Sequence, residues 1–202
     1  NAPLIARYLR EIDADIVFLQ ESHANWEQYL HQHLGQTYPY RSFHHSGGAG
    51  GIAFLSKHRL SNVHPIGPEA SWFPALKAEA QTPFGSIHLL NVHLKPPLTD
   101  RGSVSLSAYS GAPAVHQREL SEFLRSTDLS APTIIAGDFN ENERRHGVQW
   151  LIGRGFTDAL SIYDTKTKTW AWRLMPGISI ANRYDHILFS TQFHCTGAGV
   201  SK

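Results

Sequence analysis

Four short apolar runs, each meeting a polar group at one end, constrain this chain more than any other feature. Ile16-Val17-Phe18-Leu19 leads into Gln20 and Glu21, and residues 87–94 are apolar almost throughout with His93 near their end. Thr133-Ile134-Ile135-Ala136 is followed by Gly137-Asp138-Phe139-Asn140, and Asp185 opens a run through Ile187, Leu188 and Phe189. Runs of this length, bounded by turn residues, read as buried strands. Charged side chains seldom sit beside buried strands unless they are paired or bind a metal. Four independent cases at strand ends therefore suggest one shared cleft, the usual place for a site in an α/β protein.

Helical periodicity fills the spaces between them. Leu4, Ile5, Tyr8, Leu9 and Ile12 share a stripe that Asp13-Ala14-Asp15 breaks, and a second helix carries Trp26, Tyr29, Leu30 and Leu34. Gly47-Gly48-Ala49-Gly50-Gly51 reads as a flexible turn before the strand Ile52-Ala53-Phe54-Leu55-Ser56. Further strands are expected at 62–64 and 76–80, around a Pro-rich loop. Residues 95–113, rich in Pro, Gly and Ser, are expected to form a long loop of the kind that often carries function. Helices follow at 117–125 and around Val148, Leu151 and Ile152, and a terminal strand at 184–189. Strands alternate with helices at first and cluster as hairpins later, which predicts an α/β sandwich with mixed sheets. Neither a repeat nor a linker divides the chain, so residues 1–202 read as a single domain.

Composition narrows the class. Hydrophobic residues at 41% and charged residues at 17% of the 202 residues argue against disorder. No apolar run approaches the roughly 20 residues that a membrane helix needs. A secretory signal is not visible after Asn1, Ala2 and Pro3. The expectation is a soluble monomer without membrane insertion. Cys195 is the single cysteine, so an internal disulfide and a cysteine metal cluster are excluded. That suits a reducing compartment such as the cytoplasm without excluding export. A net charge of +1 and a pI near 8.1 show no bulk basic character, so charge does not choose between nucleic acid and small phosphate esters.

At this point the blocks become specific. Ala14-Asp15-Ile16-Val17-Phe18-Leu19-Gln20-Glu21-Ser22, Asn91-Val92-His93-Leu94, Gly137-Asp138-Phe139-Asn140 and Arg183-Tyr184-Asp185-His186-Ile187-Leu188 occur in that order. Together with Gly50-Gly51-Ile52-Ala53-Phe54-Leu55-Ser56-Lys57, they resemble the signature blocks of the endonuclease/exonuclease/phosphatase superfamily, the DNase I-like enzymes. The resemblance implies a DNase I-like sandwich of two mixed β-sheets flanked by helices, and Mg²⁺-dependent hydrolysis of phosphodiester bonds, with Mn²⁺ as an alternative ion. It implies a phosphate-ester substrate, with DNA or RNA among the candidates. A phospholipid or sugar-phosphate hydrolase and a catalytically silent binding domain remain open.

The resemblance also implies roles. Glu21 is the principal metal ligand, with Asp138 and Asn140 also at the metal site. Asp138 orients and deprotonates the attacking water, and Asn140 donates its amide to the phosphate. His93 polarises the phosphate or protonates the leaving oxygen, and Asp185 orients a general-base histidine. Read from the residues alone, Glu21 is equally a solvated helix-start neighbour, Asp138 and Asn140 an Asx-turn capping the next helix, and His93 a core histidine. His186 alternates with Asp185 and reads as structural.

Weaker features stay on the surface or in the core. The glycine cluster lacks the Gly-Lys-Ser/Thr of a phosphate loop, and His31, His33, His44 and His45 read as solvated, the last two in a loop. Lys95, Arg101 and Arg118 are candidate phosphate contacts, and Trp170 and Trp172 a candidate base-stacking face. Superfamily members open with a strand bearing a metal-site asparagine and close with a Ser-Asp-His strand. The resemblance implies that both lie beyond the recorded ends, by truncation, and that the chain as it stands is weakly active or inactive.

Overall fold

The computed structural model describes residues 2–67, 72–96, 106–175 and 178–201, with the backbone alone at 106–113 and 172–180. In chain order the elements are α1 (Ala2–Ile12), β1 (Ile16–Gln20), α2 (Ala24–Leu34), β2 (Tyr40–His44), a 3-10 turn at Gly48–Gly50, and β3 (Ile52–Ser56). There follow β4 (Arg59–Ile66), β5 (Ala75–Thr82), β6 (Gly85–His93), α3 (Leu106–Leu124), β7 (Thr133–Asp138) and α4 (His146–Ile152). The chain continues through β8 (Thr157–Asp158), α5 (Ala159–Tyr163), β9 (Trp170–Met175), β10 (Ile178–Asn182) and β11 (Asp185–Phe189).

Alternation along the strands sets the layering. β1, β3 and β2 form an antiparallel sheet in the order β1-β3-β2. A six-stranded sheet runs β4-β5-β6-β7-β11-β8 and is mixed, because β6 and β7 are parallel while their neighbours are antiparallel. Ile16 and Phe18 of β1, with Ile52 and Phe54 of β3, pack against Leu76, Leu89 and Ile134 of the larger sheet. The odd-numbered partners, Val17 and Leu55, turn the other way onto Ala6 and Leu9 of α1 and Leu30 and Leu34 of α2. Likewise Leu90, Val92, Ile135 and Leu188 leave the larger sheet on its far side to meet Leu120 and Phe123 of α3 and Val148 and Leu151 of α4. The result is a four-layer sandwich of helices, sheet, sheet and helices. Each fully buried Leu, Ile or Phe contributes on the order of 1.5–3 kcal/mol of transfer free energy.

Several elements depart from the sequence expectations. β2 was hidden because its residues are mostly half-buried and polar, so no apolar alternation marks it; His44 closes this strand instead of lying in a loop. Helix α3 begins at Leu106, inside the stretch expected to be loop, while residues 97–105 lie outside the described residues. Ala108, Ala112 and Ala114 favour helix there, and the helix runs on into Leu120 and Phe123, which pack with Val148 and Leu151 of α4. On α1 the buried face is Ala2, Ala6 and Leu9, whereas Leu4, Tyr8 and Ile12 stay exposed. Small alanines allow α1 to approach its neighbours closely, which turns the larger side chains outward. Tyr8 then lines a groove of about 750 Å³ together with Phe18, Gln20, Gly137, Asp185 and Ile187.

The two sheets are joined by a polar bridge in their common interior. Asn91 of β6 is fully buried; its Nδ2 donates to Leu19 O at 3.1 Å and Ala53 O at 2.9 Å, and its Oδ1 accepts from Gln20 Nε2 at 2.6 Å. Asn91→Ala strands two carbonyls and an amide, and is expected to cost about 2–4 kcal/mol in urea unfolding. A loss below about 1 kcal/mol would show that the bridge does not join the sheets.

Candidate active site

The site is built where the larger sheet ends beside the bridge. Strand register sets His93 of β6 next to Asp138 of β7, and Asp138 opposite Asp185 of β11. His93 Nε2 lies 3.8 Å from Asp138 Oδ2. Glu21 follows β1 directly, and its charge is near enough to act on Asp138. Two glycines allow the close approach of the strands. A Cβ at Gly137, whose φ is +143°, would lie 2.0 Å from Val92 O, and one at Gly51 would lie 1.6 Å from Ser22 O.

Asp138 closes β7, and Asn140 lies beyond the strand with φ +50°. The Asp138 carboxylate accepts from Asn140 N at 2.7 Å, which is an Asx-turn. It does not cap α4, whose N-cap is Arg145. The Asn140 side chain donates to Leu94 O at 2.9 Å, and Leu94 N donates to Asp138 O at 2.9 Å. Glu21 is also left-handed, at φ +56°. For a glutamate this costs on the order of 1–2 kcal/mol, and such strain is commonly found at functional sites.

Electrostatics distinguishes the members. Burial pushes the Asp138 carboxyl up to about 7, with the charges of Asp185 and Glu21 adding to it; the Asn140 N–H opposes. Asp185 is raised too, first by desolvation, although the residue keeps an open face to solvent. Burial lowers His93 to about 4. Its ring is stacked on Phe73 at 4.3 Å, and its Nδ1–H donates to Ala49 O at 3.2 Å. The neutral ring therefore presents a lone pair at Nε2 on the Asp138 side.

Carboxylates that repel one another this way suit a cation, which would relieve the repulsion. Among the described residues, no three His, Cys, Asp or Glu side chains gather tightly enough to hold an ion. A hard divalent cation can be held by one or two carboxylates while keeping several of its waters.

Sequence reasoning took His186 as structural but missed its partners. Arg183 Nη2 donates to Asp158 Oδ2 at 2.8 Å, and His186 bridges Asp158 and Glu141 O at 3.1 and 3.0 Å, all three side chains being buried. His186 faces away from Asp185, as alternation requires. Arg183 and His186 lie inside one of the motif blocks, but nothing in the sequence marks Asp158. Lys95 Nζ lies over the Trp72 ring, 4.5 Å from its centroid. Arg118 is exposed on α3, and Arg101 lies outside the described residues. Trp170 packs against Tyr184 at 5.2 Å; the side chain of Trp172 lies outside the described residues. His31 contacts Arg41, His33 stacks on Tyr29, and His45 pairs with Glu27 at the surface.

A family model described as "Endonuclease/Exonuclease/phosphatase family" matches residues 1–201. Among solved structures, the chain is similar to D. rerio TDP2 complexed with single strand DNA product, at 20% identity and a TM-score of 0.72, covering 96% of this chain and 78% of that one. It is also similar to an AP endonuclease from Archaeoglobus fulgidus, at 16% identity and a TM-score of 0.68, covering 95% and 82%. TDP2 from C. elegans matches at 19% identity and a TM-score of 0.68, covering 94% of this chain and 58% of that one. These likenesses show a DNase I-like fold. No curated protein sequence matches the chain.

Two outcomes follow from the geometry. With its pKa raised from 3.8 to about 7, Asp138 contributes stability that is full below the ordinary value and lost as pH rises through 7. In EDTA, Asp138→Asn should therefore gain on the wild type between those values and then level off. The gain should reach a few kcal/mol, at about 1.4 kcal/mol per pKa unit. Urea midpoints across that range check it, and a pH-independent difference would contradict the assignment. Glu21→Gly, which relieves the left-handed strain, should unfold at higher urea, by about 0.5–1 kcal/mol.

Proposed function

Because the chain belongs to the endonuclease/exonuclease/phosphatase family, we propose that its cleft hydrolyses phosphodiester bonds with Mg²⁺ (or Mn²⁺) as cofactor, and that nucleic acid is the substrate. The observation that carries this reading is the side-by-side placement of His93, Asp138 and Asp185 on three adjacent strand ends. Nucleic acid is favoured because the D. rerio relative of the same fold is complexed with single strand DNA product.

Glu21 and Asp138 would hold the ion, with Asn140 beside them. When bound, Mg²⁺ supplies charge neutralisation at the phosphoryl oxygens. Asp138, once ionised, orients a water and accepts its proton. A carboxylate next to a bound cation stays ionised and can accept a proton, which suits this task. Its fixed place owes much to the Asx-turn, which leaves the second carboxylate oxygen on the His93 side. Asn140 gives one amide hydrogen to Leu94 O, and the rest of its side chain is available to the phosphate. His93 in the substrate-free protein accepts at Nε2; the negative charge of a bound phosphate favours its protonated form, and with it a proton for the leaving oxygen. Asp185 keeps a second negative charge opposite Asp138 and would orient a histidine or water across the strand pair.

The test is turnover of an activated diester and of single-stranded DNA by the full-length protein with Mg²⁺. Activity should vanish with EDTA and return with excess Mg²⁺. Asp138→Ala should lower kcat by about 10²–10⁴-fold. Equal turnover by Asp138→Ala would remove this residue from the chemistry, and turnover insensitive to EDTA would remove the metal.

A further inference from the structure

One turn apart on α3, His116 and Glu119 hold both backbone polar groups of Lys95. Glu119 accepts from Lys95 N through Oε2 at 3.2 Å, and from Trp72 N through Oε1 at 2.9 Å. His116 Nε2–H donates to Lys95 O at 2.7 Å, while its Nδ1 lies 2.8 Å from Glu141 Oε2. The other Glu141 oxygen accepts from Val148 N at 2.7 Å. His116 and Glu119 are wholly buried, and Glu141 is 4% exposed.

Burying three ionisable side chains is costly, and a well-packed apolar trio would serve stability as well or better. Geometry gives a reason for these groups to be here. Lys95 follows Leu94, whose two backbone groups bind Asp138 O and the Asn140 amide. His93 is two residues upstream. Glu141 directly follows Asn140, and Trp72 precedes Phe73, the ring stacked on His93. Each tie from α3 thus ends within one or two residues of a group at the site or of the ring that covers it.

We propose that His116 and Glu119 are positioning residues: from α3 they fix the segment 93–95 and, through Glu141, the Asn140 turn, and so keep His93 and Asn140 aligned for reaction. This rests on the reading of the cleft as a phosphodiesterase. A displacement near 1 Å at a reacting group lowers rate by up to about 10²-fold, whereas binding of a small substrate tolerates it.

The test compares Glu119→Gln, His116→Ala and His116→Gln with the wild type on a small activated diester, at a temperature where circular dichroism shows each folded. Amide hydrogen exchange at Lys95 and Trp72 is measured alongside. Glu119→Gln keeps the volume but turns an NH₂ toward one of two N–H donors. Exchange at that amide should quicken at least about tenfold, and kcat should fall about 10–100-fold while KM shifts less than about threefold. His116→Gln, which can still donate to Lys95 O, should recover part of the kcat lost in His116→Ala. Should His116→Ala fail to fold, Glu119→Gln carries the test. An unchanged kcat in folded Glu119→Gln, or unchanged exchange at both amides, overturns the proposal while leaving the hydrolase reading intact. Absence of turnover in the full-length wild type overturns the hydrolase reading and this proposal with it.

Discussion

Asn91 lies with no access to water between two sheets that otherwise meet through apolar side chains. Its amide binds Leu19 O and Ala53 O, and its carbonyl oxygen accepts from Gln20. In an apolar layer any sliding of one sheet over the other would leave these groups unpaired, so the bridge fixes a single register between the sheets. Glu21 is the next residue after Gln20, and His93 is two residues beyond Asn91 on the same face of β6. The relation of β1 to the ends of β6 and β7, and so the gathering of polar groups there, depends on this contact.

Around the bridge the interior changes from apolar to charged over one or two residues. Phe73 and the surrounding strands exclude water from His93, and the same exclusion raises Asp138. The two shifts run in opposite directions because burial disfavours whichever form is charged: the imidazolium in one case, the carboxylate in the other. Beside each other they give a neutral base and a carboxyl poised between its forms. That electrostatic state comes from position in the sheet, since neither residue type has it in water.

Further buried charged side chains lie on the helix side of the larger sheet. Arg183, Asp158 and His186 join β8 to β11, and His116, Glu119 and Glu141 join α3 to the loops after β6 and β7. Both groups end on the loop after Asp138: His186 binds the Glu141 carbonyl, and His116 the Glu141 side chain. The loop is thus held by hydrogen bonds from β11 and from α3. Loops in general are held by few contacts and are the first segments to open.

Much of the layering was legible in the sequence, because strand alternation and helical periodicity are local. Ile16 and Phe18 turn opposite to Val17 whatever else the chain does, and the polar residues at the ends of the apolar runs stand out without any partner in view. The glycines at 51 and 137 were visible in the motif blocks, but the backbone approach that forbids a side chain there was not. β2 and the first turns of α3 were not legible, since their residues lack a clear apolar period. By itself the sequence determined which residue types stand at the strand ends. Only the tertiary structure decided that β11 lies beside β7, so that Asp185 opposes Asp138, and that α3 turns His116 and Glu119 onto Lys95. The physical reason is that periodicity acts between residues a few positions apart, whereas these pairings join residues more than 20 apart, whose meeting is set by sheet order and packing.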